Sequence, residues 1–142
     1  MKRARRGFTL AEVVISMGIA ALGIAGMVWG YIISAQRAEW STCSAAAQVM
    51  AMRRLEQTRA AKWDPFGYPR VDELVSSNFP TVTSPLDIPS IGTNNVLATN
   101  SVWIASLYDD PPIKVVRVQC VWSLMSRGPF TNVVITYRTA DR

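Results

Sequence analysis

The chain has 142 residues, a formal net charge of +5 and no histidine. That length suits one domain, and the missing imidazole excludes Ser-His-Asp and Cys-His catalysis within the chain, along with the commonest metal ligand. Lys2, Arg3, Arg5 and Arg6 supply four of the fifteen positive charges; the rest is eleven against ten acids, too balanced for a nucleic-acid footprint. The basic cluster sits at the extreme N-terminus, where it reads as a positive-inside signal. From Val13 to Gln36 there is no charged residue. As a helix, at ~1.5 Å per residue, that run spans roughly 36 Å, against a hydrocarbon core of about 30 Å. A single transmembrane helix is therefore predicted, with Trp29 and Tyr31 toward its outer end and Arg37 and Glu39 marking the exit. A cleaved secretory signal fits less well: its apolar region is ~7–15 residues, and Ile33-Ser34-Ala35 is a poor match to a small-residue cleavage site.

One acid, Glu12, stands at the front of the apolar run, and Gly7-Phe8 precedes it. A plain membrane anchor needs neither feature. Gly7-Phe8-Thr9-Leu10-Ala11-Glu12 resembles the GFTLxE motif of type IV pilins and type II secretion pseudopilins, basic leader and following helix included. The resemblance is close over roughly the first 35 residues and loose over the next 25. It implies cleavage between Gly7 and Phe8 by an inner-membrane prepilin peptidase, N-methylation of Phe8, and assembly into a filament through the apolar helix. It gives Glu12 a role in assembly; no cofactor and no metal are expected. Physically, Gly7 lets a protease approach the backbone, and a carboxylate carried into an apolar bundle needs a cation. The new amine of Phe8, on a neighbouring subunit or on the same chain, would supply one. Where many family members carry a helix-breaking proline, this chain has Trp29 and Gly30. Gly18, Gly23, Gly26 and Gly30 would either permit close helix packing or let the helix stretch locally in a filament.

The helical pattern continues from Arg37 to Trp63 without proline or glycine, giving one helix of about 55 residues, or ~80 Å. Trp40, Cys43, Ala47 and Met50 share one stripe, while Val49, Met52 and Leu55 lie elsewhere on the cylinder. Met52–Ala60 is faintly similar to minor pilins and minor pseudopilins. Asp64-Pro65 and Gly67 end the helix. All eight prolines follow Lys62, and residues 64–100 read as a loop-rich connector. Beyond it, SVWIASLY, IKVVRVQCVWSL and TNVVITYRT read as three antiparallel strands. In the middle one Val116, Val118, Cys120, Trp122 and Leu124 share a face, which Lys114 enters out of pattern. Asp109-Asp110 beside two prolines reads as a polar turn rather than a calcium loop, since calcium takes six or more oxygens.

The predicted fold is α+β and pilin-like: a long N-terminal α-helix, half transmembrane and half soluble, packed on a C-terminal antiparallel sheet. Its parts are a leader (1–7), a transmembrane helix (8–36), the soluble half of the spine (37–63), the connector (64–100) and the sheet (101–142). Cys43 and Cys120 are far apart in sequence and leave a disulfide open. The expected protein is a filament subunit, of the minor kind, and not an enzyme. It sits in the bacterial inner membrane with its C-terminal domain in the periplasm. Its partners are the prepilin peptidase, other pilin or pseudopilin subunits, the inner-membrane assembly platform and the lipid bilayer. The competing expectation is an uncleaved, signal-anchored periplasmic adaptor.

Overall fold

The computed structural model describes residues 9–89, 95–124 and 127–141. Helix α1 runs unbroken from Leu10 to Ala60. The chain divides into two compact units, residues 1–39 and 40–142. Within the first unit every described residue is helical from Leu10 on, and its apolar side chains, Ile15, Met17, Leu22 and Met27 among them, are exposed, apart from half-buried Ile33.

The second unit begins with the remaining turns of α1. There Cys43, Ala47, Ala51, Leu55 and Thr58 are buried, at the three-to-four spacing that puts side chains on one face of a helix. Three of the five are Ala or Cys, so the helix can lie close against its cover. Leu55, placed off the buried stripe by the sequence pattern, belongs to it at 2 % exposure. Trp40 stays half exposed, its ring meeting that of Phe130 edge-on at 6.2 Å. Val49 and Met52 are exposed on another side of the cylinder.

The helix stops three residues short of Trp63, and Trp63–Asp64 becomes a two-residue strand, β1, paired antiparallel with β2, Val71–Asp72. The turn between them is built by Asp64, whose Oδ1 accepts from the N–H groups of Phe66 (3.1 Å) and Gly67 (2.7 Å). A Cβ on Gly67 would collide with that carboxylate, so a larger residue there would push the Asp64 side chain out of the turn. The connector is more ordered than its proline content predicts. A short 3-10 turn at Ser76–Asn78 follows, then β3, Val82–Pro85. Strand β3 pairs with the start of β4, Leu97–Asp109, which begins four residues earlier than expected. Strands β5, Pro112–Leu124, and β6, Arg127–Thr139, complete a four-stranded antiparallel sheet in the order β3-β4-β5-β6. The meander was legible; the fourth strand was not, because Val82–Pro85 is short and ends in proline.

The centre strand β5 alternates as predicted: Val116, Val118, Cys120 and Trp122 are buried and join the helix stripe in one core. Polar contacts fix the helix against the sheet at both ends. Asn132, in register with Cys120, donates through Nδ2 to the carbonyl and hydroxyl oxygens of Ser44, 3.3 Å each. Arg138 donates to the Thr58 carbonyl at 2.8 Å, one of the last-turn carbonyls that a helix leaves without a partner of its own. The opposite face of the sheet is exposed, and Trp103, Ile135 and Tyr137 stand on it around Arg117.

Candidate functional site: the N-terminal segment

The cleavage and methylation positions Gly7 and Phe8, and the leader Met1–Gly7, lie outside the described residues. Thr9 is described and opens α1. The N–H of Val13 donates to the Thr9 carbonyl at 3.2 Å, closing the first helical turn. Glu12 Oε2 accepts from the Thr9 N–H at 2.8 Å and from the Thr9 hydroxyl at 2.9 Å. The Glu12 N–H in turn approaches the Thr9 hydroxyl oxygen at 3.3 Å. This is a reciprocal capping box: Thr9 is the N-cap, Glu12 stands three residues on, and two otherwise orphaned helix-start N–H groups are satisfied.

Glu12 therefore has a local partner at the helix start, which it marks as an interfacial acid would; its role in assembly is a separate question. Thr9 is the residue that sequence reasoning missed. The signal was present as T-x-x-E ahead of an apolar run, nested inside the longer motif. One turn further, Ser16 donates its hydroxyl to the Glu12 carbonyl. Ser34 does the same to Gly30, at 2.8 Å. Both hydroxyls are spent on the helix's own backbone, as suits polar side chains in an apolar segment.

By length and composition, α1 is the one helix among the described residues that can cross a membrane. A Cβ at Gly18, Gly23, Gly26 or Gly30 would meet no atom of this chain within 4 Å. Cys43 and Cys120 are both buried, and both are held as thiols; the disulfide left open by the sequence is not formed in the structure. Burial pushes the Cys120 thiol above its ordinary pKa. Asp109 and Asp110 close the exposed turn between β4 and β5. Among the described residues no group of three or more Cys, Asp or Glu is placed to hold a metal.

A basic leader, a capped helix start with one acid, and an exposed apolar helix are consistent with a membrane-anchored, pilin-like precursor. Comparison with known families agrees: residues 2–28 match the prokaryotic N-terminal methylation motif. The chain thus carries the prepilin signal of type IV pilins and pseudopilins, and the motif implies processing by a prepilin peptidase and assembly with other pilin subunits. No curated protein and no solved structure matches the chain.

Proposed function

We propose that the protein is a structural subunit of a type IV pilus or a type II secretion pseudopilus, and of the minor class. It acts by assembly rather than catalysis. In this reading α1 enters the bacterial inner membrane once, from a cytoplasmic leader, and the sheet-bearing unit lies in the periplasm. The prepilin peptidase cuts between Gly7 and Phe8, the amine of Phe8 is methylated, and the platform draws the subunit into a filament. The similarity of Met52–Ala60 to minor subunits supports the minor place. The observation that carries the reading is the methylation motif over residues 2–28, which runs into the first turns of a membrane-length helix.

Glu12 links the two stages. In the precursor its carboxylate closes the cap with Thr9. A charge at the centre of an apolar bundle costs about 2.5–3.5 kcal/mol on insertion scales, and two hydrogen bonds from Thr9 leave its net charge uncompensated. The protonated amine of Phe8, which exists only after cleavage, compensates it. Processing and assembly are thereby joined through one ion pair.

The test has two parts. N-terminal sequencing of membrane-extracted protein should begin at methylated Phe8; an intact Met1 or Lys2 end, in a host with the peptidase, would refute the proposal and leave the uncleaved adaptor. Gly7→Val should insert but stay unprocessed. Glu12→Val, made more apolar, should insert and be processed, yet be depleted from sheared filaments relative to its membrane level. Incorporation equal to wild type would remove Glu12 from assembly and leave it as a helix cap.

A further inference from the structure

We propose that Cys43 and Cys120 form a disulfide between α1 and the centre strand when the chain folds under oxidising conditions. That the chain meets such conditions in a cell rests on the periplasmic reading above. The structure holds the dithiol form, and its register brings the two residues to one level. Trp40 marks one end of the docked helix by its ring contact with Phe130, which is in register with Trp122. Thr58 marks the other by its bond to Arg138, which is in register with Lys114. Eighteen helical residues at ~1.5 Å each and eight strand residues at ~3.4 Å each both give about 27 Å, so the two elements stay in step.

Cys43 lies three residues along α1 from the Trp40 marker, about 4.5 Å. Cys120 lies two residues along β5 from Trp122, about 7 Å. The mismatch along the axes is roughly 2 Å, which leaves most of the ~7 Å Cα separation that a disulfide can span for the gap between helix and strand. Asn132 brackets the level: it is the cross-strand partner of Cys120, and its amide contacts Ser44, the residue after Cys43, and Gln48 one turn on. Both thiols point inward, at 2 % and 0 % exposure, into the same core. Next to Cys43 on the stripe are Ala47 and Ala51, both fully buried, so no large side chain holds the helix away from the sheet here.

The chemistry balances with a disulfide-bearing oxidant. Two S–H bonds break and one S–S bond forms; the two protons and two electrons pass to the oxidant's disulfide, whose S–S bond breaks to give two thiols. Attack needs a thiolate, which burial makes scarce at Cys120 in the folded state. The bond therefore forms while the chain folds, before the core closes. It would tie α1 to β5 one turn past Trp40, where the second unit begins.

The experiment refolds the full chain, reduced and denatured, into detergent with a mixture of oxidised and reduced glutathione, followed by acid quench, alkylation and tryptic mapping without reductant. The expected product is Ala38–Arg53 joined to Val118–Arg127 within one chain, lost on reduction and absent from Cys43→Ala. Two alkylated thiols, or cross-links only between chains, would overturn the proposal. This outcome does not depend on leader processing, which the Phe8 end reports separately.

Discussion

Lys114 is the residue whose charge broke the apolar alternation of β5, and its removal should be milder than removal of its partner. Its ammonium contacts both carboxylate oxygens of Asp72, at 2.7 and 2.6 Å, and the Leu74 carbonyl at 2.8 Å. It also lies 4.8 Å from the centre of the Trp63 ring. The Lys114 side chain is 8 % exposed and that of Asp72 47 %. Breaking a fully buried pair costs about 3–5 kcal/mol, because the remaining charge is uncompensated. Half-exposed Asp72 admits water when removed, so Asp72→Ala should cost about 2–3 kcal/mol. Lys114→Met keeps the buried stem, removes the charge, and leaves Asp72 to be hydrated. Its cost is the lost bond to Leu74, about 1 kcal/mol. At about 4–8 °C per kcal/mol for a domain of this size, Asp72→Ala should lower Tm by roughly 10–20 °C and Lys114→Met by roughly 5 °C. The double variant should resemble Lys114→Met. The assay is thermal unfolding of the detergent-solubilised full chain by near-ultraviolet circular dichroism. Asp72→Ala no worse than Lys114→Met, or a double variant with the two costs simply added, would refute the reasoning.

Two further outcomes follow from the helix ends. Asp141 accepts from the Trp63 N–H at 2.8 Å and pairs with Arg138 at 2.9 Å, and these contacts, the backbone bond first, hold its carboxyl below its ordinary pKa. A depressed carboxyl contributes stability that is complete above its unfolded pKa, about 3.9, and is lost as pH falls through the folded value. Urea midpoints measured against pH should therefore fall on the acid side for the wild type and less steeply for Asp141→Asn; parallel curves would remove Asp141 as a contributor. Thr9→Val removes the N-cap hydroxyl and should weaken the first turn of α1 by about 1 kcal/mol, read as faster hydrogen exchange over Ala11–Val13 while cleavage at Gly7 persists. Unchanged exchange would show that the cap does not hold the helix start.

The apolar helix of membrane length, the processing motif and the three long strands were legible because each rests on local pattern. An uncharged run of membrane length, a basic flank, GFTLAE and strict alternation in Val116–Trp122 can be read without knowing what packs on what. The capping box was equally local, as Thr9 and Glu12 stand three apart, yet it needed the structure to separate it from the motif that contains it. What the sequence could not supply are the contacts made across distance. Leu55 entered the core because the helix faces the sheet over a stripe set by both elements. Val82–Pro85 became a strand because β4 offered an edge to pair with, although proline opposed it. Lys114 could be buried because Asp72 and Leu74, forty residues earlier, arrive beside it. Whether Cys43 meets Cys120 is a question of the same kind: it depends on how far a helix advancing ~1.5 Å per residue and a strand advancing ~3.4 Å have travelled from a common anchor. Only the packed layers set that anchor.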